Sequence, residues 1–569
     1  MSTRSTVVAA GLLLASGCPK PTPTEAPSPA GAAEAARAFV DQLDTSAAPI
    51  ARDLNLAYWD ATTTGDSAAF QRASELDLRL RTLYADAEGF ARLSAWSADP
   101  AIASADPLLA RRVLLAKDAF APNQIDPELM ARMVALGTEV EEIYSTHRGT
   151  IDGREVDENE ILDILGDSTD RALRQQAWEA SKQVGPLVAE KLLELVKLRN
   201  EAARQAGYPD YYQMSLTLSE QDPATIKALF ADMAERSRGP FEQLKATMDA
   251  RIAGQLGVTP ADLRPWDYAD PFFQEAPQVS DHDLDAFFKG RDVAALVAGY
   301  FDGIGLDTHA ILARSDLYPR EKKQPSAYCT DIDREGDVRI FCNTVDDEYW
   351  ASTILHELGH AVYSAGIDRA LPWGLRNESH PFTTEAVALL FGRLSKDPSW
   401  IHCATGLPME EIAPAAQDMA DTQRLLEVIF ARWSLVMVDF ERNLYADPEQ
   451  DLNALWWDLV ELHQLVHRPD GRDAPDWATK IHIVTAPVYY HNYLMGEMMA
   501  SQMLAAMARD LYDGQPFGEL DTCGNPAVGA WLGERIFAPG ERVPWNELVE
   551  NATGEPLTAK YFVEQYLGE

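Results

Sequence analysis

The chain of 569 residues carries 49 Lys and Arg against 89 Asp and Glu, a formal net charge of −40 at pH 7. This acidity argues against binding to nucleic acid, because phosphate contacts need basic patches. With 46% hydrophobic residues the chain can bury a large core. We find no internal repeat and no linker after residue 50, which favours one large domain.

The first 35 residues are typical of an export signal followed by a tether. Arg4 precedes an apolar run that is too short to span a bilayer. The string LASGC, which ends at Cys18, resembles a lipoprotein signal; an ordinary cleaved signal with an incidental cysteine is the alternative. We therefore expect a signal peptide at 1–17, an extended Pro-rich tether at 18–35 and a globular domain at 36–569. Lipidation of Cys18 would anchor the protein to a bacterial membrane outside the cytoplasm.

Apolar periodicity predicts mostly helices in the rest of the chain. Residues 170–205 form one long periodic run that ends before Gly207, and residues 415–444 and 495–511 are similar. The exception is a β-hairpin predicted at residues 326–345. The predicted fold is therefore all-α, with a small hairpin.

The predicted hairpin contains two cysteines. If Glu335 and Gly336 form a two-residue loop, Cys329 and Cys342 face each other as a non-hydrogen-bonded pair. Because export permits disulfides, we expect these two cysteines to be bonded; two reduced buried thiols are the alternative. No partner is predicted for the other cysteines, Cys403 and Cys523.

The most informative string is His356-Glu357-Leu358-Gly359-His360, an H-E-x-x-H motif in a run with apolar flanks and no proline. On a helix, positions i and i+4 lie on one face, so both imidazoles can reach one Zn²⁺. Glu357 lies beside them, where it can act as the base that deprotonates an attacking water. A buried helix with two incidental histidines is the alternative.

A peptidase zinc site needs a third protein ligand. A histidine or aspartate six residues past His360 would serve, but Gly366 is there. The candidates that remain downstream are Asp368, Glu378, His380 and Glu385. Glu385 is favoured because it falls within a predicted helix, which holds a ligand more rigidly than a loop.

These motifs resemble the zinc-site region of the angiotensin-converting-enzyme (peptidyl-dipeptidase A) family. The family shows HEMGH, L-P-x-x-L-R, a proline and F-H-E-A, and residues 356–386 contain HELGH, LPWGLR, Pro381 and TEA with matching spacing. Residues 476–483 (DWATKIHI) are similar to the family's A-K-x-H-I, and residues 490–493 (YHNY) to its Y-I-R-Y. The resemblance spans roughly residues 50–569, and it strengthens the assignment of Glu385.

The resemblance implies roles for residues outside the zinc motif. His482 and Tyr493 match the donors that stabilise the tetrahedral oxyanion. Lys480 and Tyr490 match a clamp for the substrate's C-terminal carboxylate, with Tyr489 a rival for the tyrosine. Ala327 falls in the segment that lines the family's site. The resemblance further implies a large helical domain with a deep central cleft, and the hairpin edge could pair with an extended peptide.

The chain departs from the family pattern at four positions, and one of them is Gln324, where the segment that lines the family's site has a histidine. The clamp's glutamine, found in a W-x-Q context, is replaced by Tyr268. Leu389 stands where the family has an aspartate that orients a ligand histidine, so another group must do so. Asn492 replaces the arginine associated with chloride dependence, which argues against chloride activation.

The expected function is zinc-dependent hydrolysis of peptides by one Zn²⁺ per chain, with release of C-terminal dipeptides. A zinc oligoendopeptidase of the thimet type is the alternative within enzymes. The alternative that is not an enzyme is an inactive peptide-binding lipoprotein, although the intact Glu357 and ligand set argue against it.

Overall fold

The computed structural model describes residues 29–277, 282–324, 326–517 and 520–568. The prediction of an all-α fold is confirmed: these residues form a single helical domain with two short antiparallel strand pairs. The predicted signal peptide and Cys18 lie outside the described residues. None of the described helices combines the length and the apolar character needed to cross a bilayer.

The N-terminal helices build a small core of their own. Their bounds are α1 (Pro29–Thr64), α2 (Ser67–Tyr84), α3 (Ala87–Ser97), α4 (Pro100–Ala105), α5 (Pro107–Phe120) and α6 (Pro127–Thr146). The core contains Ala36, Val40, Leu93, Ile102, Leu109, Val113 and Phe120. Because α1 begins at Pro29, residues 29–35 are helical and are not part of an extended tether. Their alanine-rich sequence favours a helix.

The middle of the chain continues with a first strand pair and further helices. The elements are β1 (Gly149–Ile151), β2 (Arg154–Val156), α7 (Glu158–Asp167), α8 (Arg171–Ser181), α9 (Gly185–Gln205), α10 (Tyr211–Leu218), α11 (Pro223–Leu256), α12 (Val293–Gly303) and α13 (His309–Leu312). The single helix predicted at 170–205 is therefore wrong, since it is two helices separated at residues 182–184. Pro186 accounts for the break, because it lacks an N–H and would clash with the carbonyl of Lys182 in a continuous helix.

The C-terminal half surrounds the candidate site. It contains β3 (Tyr328–Asp331), β4 (Val338–Phe341), α14 (Glu348–Gly366), α15 (Pro381–Gly392), α16 (Pro398–Thr405), α17 (Met409–Ile412), α18 (Ala416–Ala446), α19 (Leu452–Gln464), α20 (His482–Thr485), α21 (His491–Leu511), α22 (Pro526–Leu532), α23 (Trp545–Thr553) and α24 (Lys560–Leu567). The helices predicted at 415–444 and 495–511 correspond to α18 and α21. One continuous hydrophobic core joins these helices to α6–α12.

The hairpin exists, but its register differs from the predicted one. Cys329 pairs with Ile340, and the N–H of Ile332 donates to the carbonyl of Asp337 at 2.9 Å, so the loop has four residues, 333–336. Asp333 closes this loop by accepting backbone N–H groups from Glu335 and Asp337 at 2.8 and 3.1 Å. The pairing is therefore displaced by two residues from the predicted two-residue turn.

The displaced register leaves the two hairpin cysteines unbonded. Cys329 is half-buried, Cys342 is buried, and both are free thiols. The predicted Cys329–Cys342 disulfide is therefore wrong. The disulfide that the structure contains joins Cys403 to Cys523, which are 120 residues apart in sequence. It connects the end region of α16 to the segment before α22.

Candidate active site

The H-E-x-x-H motif lies on α14, and Glu385 lies on α15. Asp347 begins α14 by accepting the backbone N–H of Trp350, and Pro381 occupies the first position of α15. The two helices approach closely at Gly359, where an added Cβ would lie only 2.7 Å from the Cα of Ala388. This contact brings the two histidines of α14 against the glutamate of α15.

The three predicted ligands converge on one point. The Nε2 atoms of His356 and His360 are 3.2 Å apart, and they lie 3.6 and 3.7 Å from the two carboxylate oxygens of Glu385. Two ligand atoms bound at about 2.05 Å to one tetrahedral zinc would be separated by about 3.3 Å. The donor set of two imidazoles and one carboxylate therefore fits a zinc ion.

Burial gives the two imidazoles the neutral state that a metal requires. It lowers the pKa of His356 to about 4, and with the effect of neighbouring His356 it lowers the pKa of His360 to about 3. Both imidazoles are thus neutral near pH 7. Burial, with the charge of Glu497, raises the pKa of Glu385 to about 7. A cation would compensate the charge of this buried carboxylate.

A threonine orients one of the histidines. Nδ1 of His360 lies 2.8 Å from Oγ1 of Thr384, the residue directly before Glu385. In the family an aspartate at the position of Leu389 orients a ligand histidine by a hydrogen bond. Leu389 cannot form that bond, and Thr384 supplies a hydrogen-bond partner instead. Leu389 instead lies on the α21 side, where it would contact a side chain added at Gly496. The sequence contained no spacing signal that pointed to Thr384.

The other third-ligand candidates are engaged elsewhere. His380 caps α15: its Nδ1 accepts the N–H of Phe382, and its Nε2 lies 3.1 Å from the carbonyl of Ser219. Glu378 accepts the hydroxyl of Ser364, and Asp368 lies 3.5 Å from a guanidinium nitrogen of Arg542.

Glu357 faces a cavity of about 520 Å³ that is also lined by His360, Ala327 and Cys329. Burial, with the charge of Glu385, raises the pKa of Glu357 to about 8. The edge of β3 that does not pair with β4 has no strand partner among the described residues. The predicted base and the predicted hairpin edge therefore share one cavity.

The predicted carboxylate clamp is buried and cationic. Lys480 is 7% exposed, and its Nζ lies 5.8 Å from the ring centre of Tyr490. The hydroxyl of Tyr490 accepts the indole N–H of Trp433 at 2.7 Å. Nζ of Lys480 donates to Oε1 of Gln274 at 2.6 Å, a contact that sequence reasoning missed. Tyr268, at the motif position, instead bonds Lys245 and Asp249.

The remaining predicted residues, His482 and Tyr493, pack against the clamp residue Tyr490. The ring of Tyr490 is 5.3 Å from those of His482 and Tyr493. The nearby charge of Glu385 adds to burial in raising the pKa of Tyr493, and it also acts on Tyr489. Tyr490 contacts Lys480, whereas the charge of Glu385 acts on Tyr489, so Tyr490 remains the predicted clamp tyrosine. Nδ1 of His482 is buried and has no hydrogen-bond partner among the described residues.

Asn492 is buried, and no hydrogen bond joins its side chain to Lys480 among the described residues. Its side-chain oxygen accepts the amide N–H of Gln221 at 2.8 Å, and Gln221 in turn contacts His491 at 2.6 Å. The position that is an arginine in the family is therefore part of a neutral polar network here.

Comparisons with known proteins match two parts of the chain to two peptidase families. Residues 164–304 match peptidase family M3, and residues 321–567 match the family of angiotensin-converting enzyme. An angiotensin-converting enzyme from Theromyzon tessulatum is 22% identical over 500 residues, which cover 81% of this chain and 80% of that protein. Carboxypeptidase 1 of Bacillus subtilis (strain 168) is 22% identical over 418 residues, 68% of this chain and 75% of that protein.

A helical domain with an H-E-x-x-H helix packed on a glutamate-bearing helix is typical of a metallopeptidase. The matched families agree, and the protein is a peptidase. The chain is a metallopeptidase that is similar to angiotensin-converting enzyme over residues 321–567. Zinc is the metal of both matched families.

Proposed function

We propose that this protein is a peptidyl-dipeptidase with one Zn²⁺ held by His356, His360 and Glu385. It removes dipeptides from the free C-termini of oligopeptides. The observation that supports this specificity is the buried clamp of Lys480 and Tyr490, in which the ring of Tyr490 packs on that of Tyr493 at 5.3 Å. The charge of Glu385 in turn acts on Tyr493. A carboxylate clamp beside the proposed oxyanion donor Tyr493 suits a peptide whose C-terminus lies close to the scissile bond.

The chain's own residues would perform the proton transfers. Zinc, when bound, supplies a Lewis acid that polarises the scissile carbonyl and acidifies water. Glu357 takes the proton from the attacking water and passes it to the leaving amine. Its burial and raised pKa suit a group that must both accept and release a proton near neutrality. His482 and Tyr493 donate hydrogen bonds to the developing oxyanion.

Substrate positioning would use both sides of the cavity. Lys480 and Tyr490 hold the C-terminal carboxylate by charge-assisted hydrogen bonds. The free edge of β3, with Ala327 just before it, offers backbone groups to an extended peptide. Fixing the C-terminus and the backbone together orients the scissile carbonyl over the zinc ligands.

The match of residues 164–304 to peptidase family M3 supports the alternative of a thimet-type oligoendopeptidase. The two proposals differ in their need for a free C-terminus. The peptidase relatives argue against an inactive peptide-binding lipoprotein.

Cleavage mapping on matched peptides tests the proposal. One N-terminally blocked peptide is prepared as a free acid and as a C-terminal amide, and the products are identified by mass spectrometry. We expect successive loss of C-terminal dipeptides and a kcat/KM about 10–150-fold higher for the acid, the equivalent of one buried charge-assisted contact. Glu357→Gln controls for contaminating peptidases. Equal rates with internal cleavage in both peptides would instead assign the oligoendopeptidase activity.

We further propose that Cys18 is acylated and anchors the enzyme to a bacterial membrane outside the cytoplasm. The lipoprotein-like string before Cys18 supports this, and α1 begins at Pro29, only a short segment after it. The wild-type chain should fractionate with membranes, and Cys18→Ser should be released or remain unprocessed. A mature chain that begins at another residue contradicts the proposal.

A further inference from the structure

The clamp contains a side chain that the family motif does not assign. Gln274 lies in a non-helical loop, residues 270–275, that follows the motif position Tyr268. Its Oε1 accepts the only hydrogen bond that the Lys480 side chain donates to a described residue, at 2.6 Å. Because a lysine can only donate, this contact turns the amide nitrogen of Gln274 away from Lys480.

Three side chains of the clamp, those of Lys480, Gln274 and Tyr490, therefore still have hydrogens to donate. Lys480 retains two N–H groups, and the Gln274 amide nitrogen makes no hydrogen bond to a described residue. Tyr490 accepts from Trp433, which leaves its own O–H free to donate. Three donors from three segments of the chain around one buried cation are suited to a planar carboxylate.

Asp270 organises the loop that presents Gln274. Its side chain is fully buried and accepts three backbone N–H groups, from Phe272 at 2.8 Å and from Gln274 and Glu275 at 2.9 Å each. The N–H of Gln274 itself is thus bound to this carboxylate. Phe273 adopts a left-handed φ of 51°, which a non-glycine residue keeps only where its surroundings determine it.

The carbonyl groups of the same loop are bound by core side chains. Trp178 donates to the carbonyl of Pro271 at 3.1 Å, and Gln464 donates to those of Phe272 and Phe273 at 3.1 and 2.6 Å. The ring of Phe272 lies 5.0 Å from Nζ of Lys480. Asp270 thus binds the backbone N–H groups of the loop, and core side chains bind its carbonyl groups. The loop fixed in this way holds Gln274 and Phe272 against Lys480.

We infer that Gln274 is the third donor of the carboxylate clamp, in place of the glutamine that the family has at the position of Tyr268, and that Asp270 is its positioning residue. The inference rests on the proposed exopeptidase function. It assigns the C-terminal specificity to a loop that carries no recognisable motif.

The test compares kcat/KM on the matched free-acid and amide peptides for the holoenzyme. Gln274→Leu removes the donor, and Gln274→Glu adds a like charge beside the substrate carboxylate. Both should lower the acid-over-amide ratio about tenfold or more, with zinc content unchanged. Tyr268→Phe is the matched control, and its ratio should equal that of the wild type.

Asp270→Asn tests the positioning role. It should lower the same ratio through KM for the free acid, and the double variant Asp270→Asn/Gln274→Leu should lose no more than Gln274→Leu alone. This non-additivity distinguishes positioning from general destabilisation. If Asp270→Asn does not fold, the two Gln274 variants still decide the assignment.

The outcomes separate the inference from the proposed function. A wild-type ratio near one overturns both, because no clamp then operates. A high wild-type ratio that persists in Gln274→Leu and Gln274→Glu overturns only the assignment of Gln274. If the acid-over-amide ratio falls in Tyr268→Phe alone, the third donor of the clamp is Tyr268, at the motif position.

Discussion

A single methyl group added at Gly359 should move the zinc ligand Glu385 away from the two histidine ligands. In Gly359→Ala the new Cβ would lie 2.7 Å from the Cα of Ala388 and 3.1 Å from the carbonyl oxygen of Val387, where ordinary contact begins at 3.4 Å. Because both neighbours are backbone atoms, no side-chain rotation can relieve the clash. The helices α14 and α15 must therefore move apart by about 1 Å. Glu385 lies on the helix that moves.

The magnitude follows from the tolerance of the metal site. Ligand distances in zinc sites vary by about 0.2 Å, so a displacement of about 1 Å removes Glu385 from its position. We expect zinc affinity to fall on the order of 10–100-fold, the range seen when groups that orient ligands are altered. The net change in the free energy of unfolding should be small, because an overpacking cost of about 1–3 kcal/mol is partly offset by about 1 kcal/mol of helix propensity.

Competition with a chromophoric chelator measures zinc affinity, and thermal melts measure folding. Gly392→Ala is the matched control, because its Cβ would lie 3.5 Å from the Cβ of His356, an ordinary contact on the same helix pair. A Gly359→Ala protein with wild-type zinc affinity would refute the proposed role of the helix contact.

Three further predictions concern the base, the clamp and the cysteines. Glu357→Gln should keep its zinc and lose turnover, because the base is not a ligand; loss of zinc would contradict this. Burial lowers the pKa of Lys480 to about 8, and since the charged lysine is the form below that pKa, the acid-over-amide ratio of kcat/KM should fall as the pH rises through about 8. A ratio that stays constant to higher pH contradicts the clamp. Cys403→Ser should lower the free energy of unfolding by about 2–5 kcal/mol, and alkylation of the unreduced, denatured wild type should label Cys329 and Cys342 but not Cys403.

The candidate zinc ligands could be predicted from sequence because each lies in a helix that local signals define. His356 and His360 are one turn apart, and Glu385 lies within the next helix. Asp347 and Pro381, at the starts of the two helices, are local signals of the same kind. What the sequence could not give is the close approach at Gly359, which depends on the packing of two helices.

The errors arise where side chains bind the backbone of a loop. The hairpin register depends on Asp333, whose carboxylate closes a four-residue loop that alternation of apolar residues does not reveal. Gln274 was missed for the same reason, since Asp270 binds the backbone of its loop locally and Gln464 binds it from a distant part of the chain. The Cys403–Cys523 disulfide joins segments that only the tertiary fold brings together.

The metal content of three variants tests the central claim most directly. Purified wild-type protein should contain one zinc per chain by elemental analysis. Glu385→Ala should lose most of it, whereas Glu378→Ala and His380→Ala should retain it. In the wild type the Glu378 carboxylate accepts the hydroxyl of Ser364 and the His380 imidazole caps α15, so neither is a ligand. A fully loaded Glu385→Ala protein, or zinc lost only from Glu378→Ala, would contradict the assigned metal site.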